Sequence, residues 1–157
     1  MWLTDSFLDY LQYERNYSEE TIKSYREDLR QFEEFARGEI GDSAPSEVKA
    51  ELVREWIVSL MDRGYTSTSI NRKLSSLRSF YKFLLRKGEV AVNPLQKITG
   101  PKNKKPLPAF LRESDMDRLL DEVDFGEGFK GCRDHMIIEM FYATGVRLSE
   151  LIGLDNK

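Results

Sequence analysis

The sequence predicts a mainly α protein: a four-helix bundle, then a basic proline-rich linker, then the first helices of a second unit. Three observations carry that reading. Apolar residues recur at three- and four-residue steps up to Lys87, with no strand-like alternation. Glycines and hydroxyl clusters divide this periodicity into four lengths. Pro94, Pro101, Pro106 and Pro108 then interrupt it before it resumes near Leu111.

The first helix is expected over Asp5 to Glu14, with Leu3, Phe7, Tyr10 and Leu11 as its stripe and Thr4 or Asp5 as its cap. Asn16-Tyr17 breaks it. Ser18 opens the second helix, a capping hydroxyl followed by Glu19 and Glu20 at the positive end of the dipole. Ile22, Tyr25, Leu29, Phe32 and Phe35/Ala36 form its apolar stripe, and Gly38 is read as its end. After a loop over 41–46, Glu47 to Arg63 makes the third helix around Leu52, Val53, Trp56, Ile57 and Leu60, stopped by Gly64. Thr66, Ser67, Thr68 and Ser69 offer capping hydroxyls to a fourth helix that runs to Lys87 and is closed by Gly88. Its core stripe is Ile70, Leu74, Leu77, Tyr81 and Leu84.

Residues 1–97 thus read as one helical domain, 98–110 as a basic linker and 111–157 as the N-terminal part of a second domain. From Val90 to Pro108 proline is dense enough to block helix and sheet, so an extended strap is expected. Helices are expected over Glu113 to Val123, with Met116, Leu119, Leu120 and Val123 inward, and over Phe129 to Thr144, with Met136, Ile137, Met140 and Phe141 inward. Gly126 and Gly128 separate them. Gly145 interrupts, and Val146 to Leu154 reads as a further turn or two. This second unit has roughly 50 residues, near the size at which independent folding becomes marginal, and reads as an incomplete domain.

A 40% hydrophobic and 11% aromatic composition supports a packed core rather than disorder. No apolar run approaches the ~18 residues of a membrane span. The N-terminal segment has acids where a secretion signal needs bases, so the chain reads as cytoplasmic, with no membrane partner. A single cysteine, Cys132, excludes an internal disulfide and a cysteine zinc cluster; a single histidine, His135, excludes a two-histidine metal motif.

Charge is strongly polarised. Residues 66–105 hold ten basic residues and one acid, whereas residues 1–65 hold eight and fifteen, and residues 106–157 six and eleven. Such clustering is the footprint of a polyanion ligand, nucleic acid above all. On the fourth helix Arg72, Ser75, Ser76, Ser79, Lys82 and Arg86 are read as lying away from the apolar stripe; with Lys73 they form the expected nucleic-acid-binding set. The alternative is a solvated face, but no acid lies between Ile70 and Lys87. Lys23, Arg26 and Arg30 make a weaker stripe on the second helix, where Glu27, Asp28, Glu33 and Glu34 offer them partners. Lys102, Lys104 and Lys105 suit a strap crossing a phosphate backbone, or simply a charged linker. Arg147 opens a helix after a glycine break, a position suited to a phosphate; from the residues alone, pairing with Glu150 is the better reading.

The segment ATGVRLSEL, preceded by the apolar stretch HMIIEMFY, resembles the first catalytic box of the tyrosine recombinases, the phage-integrase and Xer-type family. NYSEETIKSYREDLRQF, STSINRKLSSLRSFYKFLLRKG, Asn93-Pro94, Pro101-Lys102, Leu107-Pro108 and the acidic helix from Glu113 agree in order, so the resemblance covers essentially the whole chain. It implies a SAM-like core-binding domain whose second and fourth helices face double-stranded DNA, which promotes Lys23, Arg26 and Arg30. It also implies a catalytic domain that breaks a phosphodiester through a 3′-phosphotyrosyl link, with no metal or cofactor, and like subunits assembled in a tetrameric synapse. Arg147 matches the first catalytic arginine, whose implied role is to bind the scissile phosphate and stabilise the transition state; Glu150 matches the supporting acid after it. The family's second arginine, its lysine, its histidines and its nucleophile find no match here. None of the seven tyrosines has the nucleophile's context. The chain is therefore expected to bind DNA without cutting it. Two other readings remain: an inactive DNA-binding or regulatory helical module, and a protein-interaction module whose basic face meets an acidic partner.

Overall fold

The computed structural model describes residues 2–42, 44–103 and 110–154. Seven α-helices occur among them: α1 (Thr4–Asp9), α2 (Glu19–Ile40), α3 (Ala50–Asp62), α4 (Ser67–Lys87), α5 (Glu113–Glu122), α6 (Gly128–Thr144) and α7 (Leu148–Ile152). None is long and apolar enough to cross a membrane. The chain divides into two compact units, Met1–Lys105 and Pro106–Lys157.

In the first unit α4 is the central element. Ile70, Leu74, Leu77, Phe80, Tyr81, Phe83 and Leu84 are buried along it, and it packs against α1, α2 and α3. Thr66 caps its start, accepting from the Ser69 amide at 3.2 Å. Gly88 closes it at φ 75°, a left-handed conformation that costs a side-chain-bearing residue about 1–2 kcal/mol. Aromatic rings fill the centre. Phe7 and Phe80 meet edge to face at 5.4 Å, and Phe32 and Trp56 at 4.9 Å. Such pairs add about 0.5–1.5 kcal/mol beyond the area they bury. The buried Tyr81 hydroxyl donates to the Pro45 carbonyl at 3.1 Å, tying α4 to the turn before α3. Burial pushes its ionisation well above the usual phenol range.

Several boundaries differ from expectation. Leu3, not Thr4 or Asp5, precedes α1, with no side-chain cap. Past Asp9 the chain widens into a π-helical turn, Tyr10–Glu14. The Arg15 amide donates to Tyr10 at 3.2 Å and the Tyr17 amide to Leu11 at 3.0 Å. Asn16 then reverses the chain at φ 51°, a region asparagine tolerates better than most residues. Helix α2 runs through Gly38 and stops at Gly41, φ 74°. Gly38 lies inside α2, two residues past the buried Ala36. Helix α3 begins at Ala50 rather than Glu47; Pro45–Glu47 is a separate 3-10 turn, in which the Glu47 carboxylate accepts from the Ala44 amide at 2.8 Å.

The larger correction concerns the strap. Val90, Leu95 and Ile98 are buried in the same core as α4. Arg78 donates to the Ile98 carbonyl at 2.8 Å, and Asn71 Nδ2 donates to the Pro101 carbonyl at 2.8 Å and to Asn103 Oδ1 at 3.0 Å. A Cβ on Gly100 would stand 1.9 Å from Asn71 Oδ1. Proline removes backbone donors from this segment, and side chains of α4 satisfy its carbonyls instead. Residues 90–103 are therefore held against α4; Val90 and Leu95 fall within the 1–97 domain as read, and the stretch from Ile98 to Asn103 is packed where an extended linker was expected.

In the second unit α5 packs on α6. Met116 is buried, and Leu119, Leu120, Ile137, Met140 and Phe141 are half-buried. Val123 and Met136, both expected inward, are exposed. Val123 lies past the end of α5 in extended backbone, and a two-helix layer covers only one stripe of α6. Phe129, Leu148, Ile152 and Leu154 are exposed as well.

Candidate nucleic-acid interface

The α2–α4 contact is built on a carboxylate. Asp28 is completely buried at its side chain. It accepts from Arg72 Nη1 and Nη2 at 2.6 and 2.8 Å and from Lys73 Nζ at 3.0 Å. Lys73 also donates to Gln31 Oε1 at 2.6 Å and lies 5.2 Å from the centre of the Tyr65 ring. Two cations meet one anion, so a positive charge survives at the edge where Arg72 stays half exposed.

Two members of the expected nucleic-acid-binding set, Lys73 and the outer-face residue Ser76, are thereby corrected. Lys73 is 3% exposed and Ser76 is fully buried; the Ser76 hydroxyl donates to the Lys73 carbonyl at 2.8 Å. Phe80 and Phe83 widen the apolar stripe beyond the five residues expected, and Ser76, four before Phe80, turns inward with them. The face that does point outward is Arg72, Ser75, Ser79, Lys82 and Arg86, at three- and four-residue steps. Ser75 and Arg72 are exposed and Ser79 is half-buried. From Arg72 to Arg86 the face spans about 21 Å. Among the described residues Lys82 has no acidic partner, and Arg86 lies over the Tyr10 ring at 4.7 Å rather than on an acid.

Helix α2 presents the opposite case. Lys23 bonds Glu20 at 2.8 Å and Arg26 bonds Asp5 at 3.1 Å. Arg30 bonds Glu27 at 2.8 Å and also Glu34. The Arg30 hydrogen bond, then that of Gln31, holds the Glu27 carboxyl down to about 2. The Lys23–Glu20 bond holds the Lys23 ammonium above its usual range. All three expected cations of α2 are thus balanced locally, while α4 carries six bases and no acid.

Lys102 is exposed at the end of the packed strap. Lys104 and Lys105 lie outside the described residues. In the second unit Arg147 stands at the N-terminal boundary of α7. Its amide donates to Glu150 Oε2 at 2.8 Å and its Nη1 to Glu150 Oε1 at 3.0 Å. The pairing read from spacing is present, and the Arg147 side chain remains 80% exposed. His135 is half-buried, with Nε2 3.2 Å from the Leu120 carbonyl, and bridges α5 and α6.

Residues 4–88 match the phage integrase N-terminal SAM-like domain. The chain belongs to the tyrosine recombinase, or phage integrase, family. It is 42% identical over 150 residues to the tyrosine recombinase XerC of Oceanobacillus iheyensis, covering 96% of this chain and 48% of that protein. It is 38% identical over 152 residues to XerC of Staphylococcus carnosus, covering 97% and 50%. The chain thus spans about half the length of the curated relatives it matches. Its fold is similar to that of the Tn1549 transposon integrase (aa 82-397), solved in complex with circular intermediate DNA. The TM-score is 0.66 at 21% identity, over 99% of this chain and 50% of that one.

Sequence reading of this recombinase-family chain missed Asp28, Gln31 and Asn71 as organisers of the face. A signal existed for Asp28. It falls three residues after Tyr25 and four before Phe32, on the apolar stripe itself, where a carboxylate persists only if paired.

Proposed function

We propose that these residues form the DNA-binding part of a site-specific tyrosine recombinase, acting on double-stranded DNA in the cytoplasm and assembling with like subunits. One observation carries the reading: within a domain matched to the integrase N-terminal family, α4 exposes Lys82 and Arg86 with no acid along the whole helix. Exposed cations separated by small hydroxyl side chains allow close approach to phosphate oxygens, which position a protein on a duplex. Arg72 joins them with its guanidinium held in place by Asp28, so less side-chain freedom is lost on binding.

Strand exchange would use a 3′-phosphotyrosyl intermediate. Arg147 is assigned the scissile phosphate, with Glu150 orienting it. In the present geometry Glu150 occupies the guanidinium and caps the Arg147 amide, so the arginine would exchange part of that contact for phosphate oxygens. With one matched catalytic residue, the chain binds and does not cleave. The test is titration of a fluorescent duplex followed by denaturing electrophoresis on a nicked duplex. Retention without a covalent adduct is the expected result; an adduct formed by this chain alone would contradict it.

A further inference from the structure

Beside the C-terminal half of α4 lies an open cleft of about 580 Å³, lined by Tyr10, Arg15, Tyr17, Ser79, Lys82 and Arg86 among others. Its far wall is the π-helical turn. The extra residue of that turn and the left-handed Asn16 bring Arg15 and Tyr17 to the cleft opposite α4. The walls are well anchored. Tyr10 packs on Phe83 at 5.3 Å and Tyr17 on Tyr25 at 6.2 Å. Arg86 lies over the Tyr10 ring.

The electrostatics distinguish this cleft from the rest of the basic surface. Arg15, Lys82 and Arg86 line it together, and among the described residues none of them is ion-paired. On α2 every assigned cation bonds an acid. Three unneutralised cations around one concavity repel one another and attract an anion. A hydroxyl from Ser79 and two phenols add donors suited to phosphate oxygens. A continuous polyanion fits better than a free ion, because the cleft is open and its α4 wall continues the outward face that starts at Arg72.

We propose that this cleft seats a backbone phosphate of nucleic acid and that Arg15 is a DNA-contacting residue. It supplies a second wall that α2 and α4 do not provide. The inference rests on the nucleic-acid reading of α4, and the test separates the two.

The experiment measures duplex affinity of the chain and of its Arg15→Gln, Arg15→Lys and Lys82→Ala variants across a salt series by fluorescence anisotropy. Arg15→Gln is expected to weaken binding several-fold and to reduce the salt slope by about 0.9, one phosphate contact. Arg15→Lys keeps the wild-type slope. The thermal midpoint of Arg15→Gln stays at the wild-type value, since the side chain is exposed and bonded to no acid. If Lys82→Ala weakens binding while Arg15→Gln leaves affinity and slope unchanged, the cleft proposal is overturned and the α4 reading stands. If the wild-type chain binds no duplex at low salt, both fall. If Arg15→Gln impairs binding of polyglutamate but not of duplex, the cleft takes an acidic polypeptide instead, and the proposal is overturned.

Discussion

Asp28 and Arg72 form a bidentate pair across the α2–α4 contact, at 2.6 and 2.8 Å, with the carboxylate fully buried and the guanidinium half exposed. One residue thus belongs to the core and its partner to the outer face of α4. Removing the carboxylate charge would leave the buried Lys73 ammonium with no bonded counter-ion among the described residues, only neutral contacts such as Gln31 and the Tyr65 ring. Breaking a buried pair from one side costs about 3–5 kcal/mol. Asp28→Asn is therefore expected to lower the urea midpoint strongly with the slope unchanged. Both tryptophans, Trp2 and Trp56, lie in the first unit, so their fluorescence reports that unit alone. An unchanged midpoint would show that the network contributes nothing to stability.

The same pair makes Arg72→Ala an ambiguous probe of ligand contact, because it removes two of the three hydrogen bonds that hold the buried Asp28 carboxylate and leaves it only Lys73. Lys82 has no such debt. Lys82→Ala is expected to weaken duplex binding several-fold with helicity and thermal midpoint intact. Lys23→Ala is expected to weaken it less, since Lys23 is already bonded to Glu20 and would have to surrender that contact to reach a phosphate. Equal losses from both would mean that α2 and α4 contribute alike, and that ion pairing on α2 does not hold its cations back from a phosphate.

Glu27 supplies a pH prediction. Arg30 and then Gln31 hold its carboxyl down to about 2, from an ordinary 4.5. A folded value below the unfolded one adds stability above pH 4.5 that is lost as pH falls toward about 2. Arg30 consequently keeps an ionised partner in Glu27 through mild acidification. A carbon-detected NMR titration of Glu27 checks this. The midpoint should lie far below 4.5 in the wild type and return toward it in Arg30→Ala; a wild-type midpoint near 4.5 would refute it.

Much of the fold was legible because its signals are local. Ser18, Thr66 and Gly88 mark helix ends through capping hydroxyls and a left-handed glycine, and all three act as read. Leu77 and Leu84 are core because they repeat at helical spacing. What escaped depended on contacts distant in sequence. Lys73 and Ser76 read as surface by residue type, yet Asp28, 45 residues from Lys73, draws the lysine inward. The strap read as an extended linker because prolines suppress its secondary structure; its anchors, Asn71 and Arg78, sit on another element. Arg15 became visible only once the π-helical turn brought it to Lys82 and Arg86.

We propose above all that the acid-free outer face of α4 binds the phosphate backbone of a duplex. The most direct measurement is the slope of log affinity against log salt concentration for a mixed-sequence duplex. If Arg72, Lys82 and Arg86 each neutralise a phosphate, the slope should be at least as steep as about −2.7, and shallower by about 0.9 in Lys82→Ala. Absence of binding at low salt, or a slope near zero that Lys82→Ala leaves unchanged, would contradict the account.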